Sequence, residues 1–385
     1  MCVHMTILFL YDSPLRPEVG GTERATQLVM DELKRRGYRT IGLLHANRTN
    51  PDRFYLNGKP IDSLGRFLSD NKIDVVVNQI AFHHWLLEDF LAQGGLEWKN
   101  RGGKIISFMH LDPLPAPKKG WLTYFEDWHK RSLWKKFKRL MFMVYRPYLN
   151  YKIEQTYKYS LRYLYEQSDK YILMSESFSS VFVKLSGVNN LSKLEYIPNM
   201  LTFPDIAPDE IVKYKDKMIL VVARLDDEQK NISFIIDVWK TIKNHNGYTL
   251  YIIGDGQDRE KLKRQAEDLN DIMFVGPQSP LNWYLKARIF LMASPREGWG
   301  LTITESLQCG VVPVILNTSS VFKDIVTNGK NGYLVYDKTE YIRCLERLMV
   351  NDILREDMAR EALHSACRFS AKQVGDCWEH LLFKI

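Results

Sequence analysis

Short apolar runs of near-continuous Val, Ile and Leu recur along the chain, each followed by a turn and an amphipathic stretch. This alternation constrains the fold more than any other feature. "MTILFL" (5–10) is followed by "TERATQLVMDELKRRGY" (22–38), a helix pattern closed by Gly37. "DVVVNQ" (74–79), "KIISFMH" (104–110) and "KYILMS" (170–175) continue the first series. After a polar, proline-bearing stretch, "IPNMLTFPDIAPDE" (197–210), a second series begins. It comprises "MILVVARL" (218–225), a helix from Asn231, "YTLYIIG" (248–254), a charged helix, "IMFVG" (272–276), "RIFLMAS" (288–294) and "VVPVI" (311–315). Strands apolar on both faces and alternating with helices predict parallel sheets covered on both sides. Two series joined by a linker near 198–212 predict two doubly wound α/β domains. In such sheets ligands bind beyond the carboxyl ends of the strands, so the residues that follow each strand carry the information.

Composition agrees with two domains. The 385 residues exceed one ordinary core, and 45% hydrophobic with 26% charged residues is a globular balance. No apolar run approaches the roughly 18 residues needed to span a bilayer. The opening "MCVHMTILFL" lacks a basic leader and a small-residue cleavage site, and reads as a buried first strand. Five cysteines, Cys2, Cys309, Cys344, Cys367 and Cys377, include no C-x-x-C pair, which predicts reduced thiols and a cytoplasmic setting.

The strand-end residues are unusual. Gly20 and Gly21 stand before the first helix, where paired glycines admit a close ligand backbone and helix N–H groups face an anion. "VVARLDDEQKN" puts Arg224 at a strand end and Lys230 at a helix start, a planar fork and a point charge suited to a diphosphate. On any single loop, two solvated surface charges is the plainer reading. "IIGDGQDREKL" supplies Gly254 and Gly256 but not the third glycine of a dinucleotide fingerprint. "FVGP" supplies Val275 and Gly276. "PREGWGLTITESLQCGVVPVI" (295–315) sets Glu297 at a glycine turn and Glu305 in the following helix. Four strand-end loops with glycine or cationic residues predict one site for an anionic, nucleotide-like ligand, with Glu305 placed to accept from a ribose diol.

The run Glu297-Gly298-Trp299-Gly300-Leu301-Thr302 to Glu305 resembles the E-x7-E signature of retaining glycosyltransferases of the GT-B fold, family 4 (group 1) type. Supporting pieces follow in the family's order: Gly20-Gly21, Arg224, Lys230-Asn231, Gly254-Asp255-Gly256, Val275-Gly276, and "VTNGKNGYLV" (326–335) after the glutamates. The resemblance implies two Rossmann-like domains facing each other across a cleft. The first, acceptor-binding, spans 1–198 and is completed by a terminal helix at 370–385. The second, donor-binding, spans 199–369. By the same resemblance, Arg224 and Lys230 neutralise the donor diphosphate and Glu305 holds the ribose. Backbone at Val275 and Gly276 holds the base, and Gly254 lines the site. Glu297 takes donor-sugar hydroxyls, with backbone N–H groups of Gly298, Trp299, Gly300 and Leu301 beside it. Gly20 and Gly21 let a loop close over the phosphates, and His110 touches the sugar near the reacting carbon; a lone histidine is otherwise more often structural. Two departures stand out. Trp299 replaces a smaller or different apolar residue, and Met200-Leu201-Thr202 replaces the family's Gly-Val-Asp after Ile197-Pro198-Asn199.

Cations and helix N-termini can stabilise a leaving diphosphate without a metal, and the chain has no D-x-D run. The expectation is therefore no cofactor and no metal, with nucleotide sugar as substrate. The stretch 118–152 holds ten Lys and Arg against Glu126 and Asp127, a net +8 where the whole chain is +7. Trp121, Tyr124, Phe125 and Trp128 fall at helical spacing, and Trp134, Phe137 and Met141 extend the stripe. Packing of these aromatics on the sheet and contact with an anionic membrane surface are both open. Nucleic acid is not expected, as no recognition motif is present. The resulting expectation is a cytoplasmic, peripherally membrane-associated, metal-independent retaining hexosyltransferase. It would take a UDP-sugar donor and a glycan or lipid-linked glycan acceptor. An NDP-sugar epimerase and a non-catalytic glycan-binding subunit are the competing classes.

Overall fold

The computed structural model describes residues 5–18, 20–46, 53–115 and 133–385. The chain divides into two compact units. The first draws on Met1–Pro14, Thr40–Ile172 and Ser179–Glu195, the second on Leu15–Arg39, Leu173–Phe178 and Tyr196–Ile385.

The first unit is built on an eight-stranded sheet. Its strands are β1 (Thr6–Tyr11), β2 (Arg39–His45), β3 (Phe54–Leu56), β4 (Lys59–Pro60), β5 (Val75–Asn78), β6 (Lys104–Met109), β7 (Lys170–Leu173) and β8 (Leu194–Tyr196), in the order β4-β3-β2-β1-β5-β6-β7-β8. β1, β5 and β6 pair in parallel, with Ile7 opposite Val75 and Val75 opposite Lys104. The antiparallel edge β2-β3-β4 departs from the all-parallel expectation. Its signal is in the sequence: Asn57-Gly58 takes left-handed φ values of 50° and 78°, the backbone a tight two-residue hairpin requires.

The second unit carries a six-stranded sheet of β9 (Met218–Val222), β10 (Thr249–Ile253), β11 (Ile272–Gly276), β12 (Ile289–Met292), β13 (Val312–Leu316) and β14 (Tyr333–Val335), in the order β11-β10-β9-β12-β13-β14. Its neighbouring strands all pair in parallel. This is the strand order of a dinucleotide-binding doubly wound sheet, with its reversal between β9 and β12. Ile219, Leu250, Ile252, Ile289, Leu291, Val312 and Val314 fill its core. Such two-sided burial is why these strands read as continuous apolar runs.

The last helix, Ala371–Phe383, was expected to complete the first domain. It lies in the second unit, together with the segment 15–39 that it packs on. Arg36 is the physical reason. Its side chain, 11% exposed, meets Glu32 at 2.6 Å, Asp376 at 2.8 Å and Glu379 at 2.5 Å, and donates to the Lys372 carbonyl. The compact units also change hands at Tyr196 rather than at 198–199.

The residues 118–132 of the basic aromatic stretch lie outside the described residues, with Trp121, Tyr124, Phe125 and Trp128 among them. The remainder opens a 35-residue helix, Leu133–Gln167. Trp134 is 64% exposed, and Met141, Phe142, Tyr145, Tyr148 and Tyr151 are exposed too. The Phe137 side chain is outside the described residues. Further along, Leu161 and Leu164 are fully buried. The described aromatics at the start of this helix therefore do not serve the core. Among the described residues no helix is long and apolar enough to cross a membrane.

Candidate active site

β9 and β12 are neighbours at the reversal of strand order, where open parallel sheets take their ligands. β9 runs out into Ala223 and the exposed Arg224. One helical turn follows, Asp227–Lys230, capped by the Asp226 carboxylate on the Gln229 N–H. Asn231, at φ 50°, turns the chain directly into the helix Ile232–Thr241. Lys230 Nζ then meets Glu297 Oε1 at 2.5 Å, a contact between residues 67 apart in sequence. Both side chains are largely buried, at 23% and 17% exposure. The Glu297 carbonyl accepts from Ser319 Oγ at 3.3 Å. Arg224 Nη2 donates to Gln229 Oε1 at 2.6 Å.

Gly254, at φ 137°, lies against this loop. A Cβ there would stand 1.9 Å from the Ala223 carbonyl oxygen, and one at Gly256 would stand 2.4 Å from that of Leu225. Backbone bonds Gly254 N–H to Gly276 and Leu225 N–H to Asp255 stitch the three strand-end loops together, both at 2.9 Å. The close approach that glycine allows at 254 is thus to a neighbouring loop. Val275 and Gly276 end β11 beside a register shift between Ile252 and Ile253.

Gly298 is partly buried, and Trp299 is buried edge-on to Phe369 with ring centroids 5.3 Å apart. Trp299 Nε1 has no partner among the described residues. Gly300 holds φ 88° and caps the helix Leu301–Gln308. This helix buries Ile303 through Gln308, so Glu305 is carried inside, to 1% exposure. Glu305 Oε1 accepts from Arg24 Nη1 at 3.1 Å, and Oε2 has no partner among the described residues. Burial pushes the carboxyl above the usual range; the Arg24 charge, then the Thr202 and Tyr284 hydroxyls and the Arg24 hydrogen bond, pull it back. Gly20 precedes the helix Gly21–Arg35, and a Cβ at Gly21 would touch Leu301 Cδ1 at 3.5 Å.

The second unit therefore brings together Lys230 with Glu297, Gly254 with Gly276, and Gly21 with Leu301. Arg24 and Gln229 are partners of site residues that sequence reasoning passed over. Arg24 had a signal, its place three residues after Gly21 in the first helical turn. His110 belongs to the first unit, just past β6, with Nε2 2.6 Å from Gln79 Oε1. Burial lowers its pKa to about 3, so the imidazole is neutral.

Fold and site together define a two-domain, parallel-sheet protein whose second unit groups paired cations, carboxylates and glycine turns at a topological switch point. Residues 203–364 match the family model described as Glycosyl transferases group 1. An uncharacterized glycosyltransferase of Haemophilus influenzae is 24% identical over 56% of this chain and 61% of its own. The N-acetylgalactosamine-N,N'-diacetylbacillosaminyl-diphospho-undecaprenol 4-alpha-N-acetylgalactosaminyltransferase of Campylobacter jejuni is 25% identical over 58% of this chain and 63% of its own. The matches thus span less than two thirds of these relatives. Anabaena HepE in complex with UDP-glucose superposes with a TM-score of 0.69 at 15% identity, covering 99% of this chain and 100% of the other. Residues 203–364 are thus similar to the group 1 glycosyl transferases, and the fold of the chain is that of the GT-B glycosyltransferases.

Proposed function

We propose that this chain is a metal-independent, retaining glycosyltransferase. It moves a hexose from a UDP-sugar to a hydroxyl of a glycan acceptor that is linked to a lipid diphosphate at the cytoplasmic membrane face. The observation that carries the reading is the 2.5 Å contact of Lys230 with Glu297. It joins the cation proposed for the diphosphate to the carboxylate proposed for the donor sugar, at the switch point of the sheet. The names of two similar proteins support the substrate classes: the Anabaena structure contains UDP-glucose, and the Campylobacter enzyme is named for a diphospho-undecaprenol-linked acceptor.

In the proposed reaction the bond between the anomeric carbon and phosphate breaks, and its electron pair leaves with the diphosphate. Lys230 and Arg224 balance that charge, the role a metal plays elsewhere. The acceptor hydroxyl attacks on the face the diphosphate leaves, and a diphosphate oxygen takes its proton. Glu297 accepts from sugar hydroxyls, Glu305 accepts from the ribose diol through Oε2, and His110 acts as a neutral hydrogen-bonding group. The exposed Trp134, Met141, Phe142, Tyr145 and Tyr148 are proposed to rest on an anionic membrane surface.

Calorimetric titration with UDP and UDP-sugars, first without and then with Mg²⁺, tests this. Saturable binding without metal is expected. Lys230→Met should weaken it roughly ten- to hundredfold, as for loss of a charge-assisted contact. Absence of any nucleotide binding, or binding only with metal, would reject the donor site as described.

A further inference from the structure

Glu305 presents an imbalance that the proposed donor site does not explain by itself. It is 1% exposed, yet Arg24 is its one cationic partner, and Oε2, although the Thr202 and Tyr284 hydroxyls lie near the carboxylate, has no hydrogen bond of ordinary geometry among the described residues. A buried carboxylate needs a compensating charge, and here that charge comes from a distant helix. Arg24 lies in the first turn of Gly21–Arg35 and is separated from Glu305 by 281 residues. Its guanidinium has a second attachment. Nε donates to the Pro17 carbonyl at 3.0 Å, within the loop that leads into Gly20 and Gly21. The Arg24 side chain keeps 30% exposure, so it reaches the buried acid from a partly open position.

We infer that Arg24 is a positioning residue for nucleotide binding: one guanidinium fixes the loop before Gly20-Gly21 and holds Glu305 as a carboxylate, with Oε2 left to accept a ribose hydroxyl. The inference rests on the proposed reading of Glu305 as the ribose acceptor. Its chemistry is that of a fork donor. Nη1 occupies Oε1 and orients the carboxylate, and Nε is committed to Pro17, so the loop and the acid move as one. The groups facing Glu305 are Arg24, the Tyr284 hydroxyl from the helix Leu281–Lys286, the Thr202 hydroxyl, and Cys309 just beyond its own helix, with Lys215 beside Cys309. Arg24 is the cation among the groups that act on Glu305. Burial raises the Glu305 pKa and Arg24 opposes that rise. Removing Arg24 therefore moves protonation of Glu305 to higher pH, and a protonated oxygen accepts one hydrogen bond fewer.

The test compares UDP with 2′-deoxy-UDP and 3′-deoxy-UDP on wild-type, Arg24→Gln and Arg24→Lys proteins by calorimetry between pH 5.5 and 8.5. The ratio of affinities cancels titration of the diphosphate, which all three probes share. Wild type should prefer UDP over at least one deoxy analogue by roughly tenfold or more. Arg24→Gln should lose most of that preference, and what remains should rise with pH. Arg24→Lys, which restores a charge but not the fork, should regain the wild-type pH profile with an intermediate preference. If Arg24→Gln is unfolded by circular dichroism, the Lys variant decides through its preference: a wild-type ratio overturns the role of the fork. Wild-type preference and pH profile in Arg24→Gln overturn the inference while leaving the donor site intact. Wild type that binds no nucleotide overturns both, and wild type that binds all three probes equally overturns the ribose role of Glu305 and this inference with it.

Discussion

The strand-end loops of the second unit and the first half of the helix Leu133–Gln167 both stand out in sequence for charge and aromatics, and the structure treats them in opposite ways. In the loops each noted charge has a fixed partner: Lys230 on Glu297, Arg24 on Glu305, Arg224 on Gln229. Glycines bring backbone against backbone there. In the helix, Trp134, Tyr145, Tyr148 and Tyr151 are more than half exposed, and Pro147 stands inside it. Partners over long sequence separation hold a geometry, whereas an exposed stripe such as Tyr145 and Tyr148, whose rings meet within the helix, presents a surface. Chemistry that needs sub-ångström placement therefore belongs to the loops, and association with something broad and soft belongs to the helix.

The contrast can be broken or sharpened by substitution. The largest effect is expected at Gly254, where φ 137° and the Ala223 oxygen 1.9 Å from a new Cβ leave no room. Gly254→Ala should destabilise the fold by about 3 kcal/mol or more, from overpacking combined with a strained backbone. Urea unfolding reads this out, and a change below about 1 kcal/mol would mean the loops are not locked as described.

A middle effect concerns Lys215, buried at 4% exposure with Nζ 2.9 Å from the Tyr284 carbonyl. Burial lowers its pKa to about 7, against about 10.4 in an unfolded chain. Between these values the unfolded state binds the extra proton, so stability rises with pH, by at most about 1.4 kcal/mol per unit. The gain is absent below about pH 7. Cys309, pushed up to about 12 by burial, works in the opposite sense above about pH 9, since the folded state then keeps its proton. Urea midpoints at pH 7 and pH 8.5 should rise in wild type and stay flat in Lys215→Met. Equal slopes in both proteins would remove Lys215 as the cause.

The smallest stability effect is expected on the helix. The double variant Trp134→Ser, Tyr148→Ser should change unfolding free energy by within about 0.5 kcal/mol, as exposed positions do. Its co-sedimentation with phosphatidylglycerol vesicles should fall several-fold, while UDP affinity stays at the wild-type value. Loss of stability near that of Gly254→Ala would erase the contrast between the two regions.

Much of the fold was legible because burial on both faces of a parallel sheet forces uninterrupted apolar strands. β9 to β13 lie where those runs lie. β2, only partly buried along its seven residues, gives a weaker signal, and the β3-β4 hairpin hangs on Asn57-Gly58 alone. The candidate site was legible as residue types at strand ends. Its pairings were not, because nothing local in "GGTERA" links Arg24 to a carboxylate 281 positions on.

By itself, then, the sequence determined the alternation of strands and helices and their grouping into two series. It also placed glycines, cations and acids after the strands, since hydrophobic period and turn chemistry are local properties. Tertiary structure decided which cation faces which acid, and that Gly254 serves a neighbouring loop. It also decided that Trp299 is buried while Trp134 is exposed, and that the last helix joins the unit of Arg36. Those outcomes depend on contacts between distant segments, and burial or pairing energy exists only once the sheet has brought the segments together.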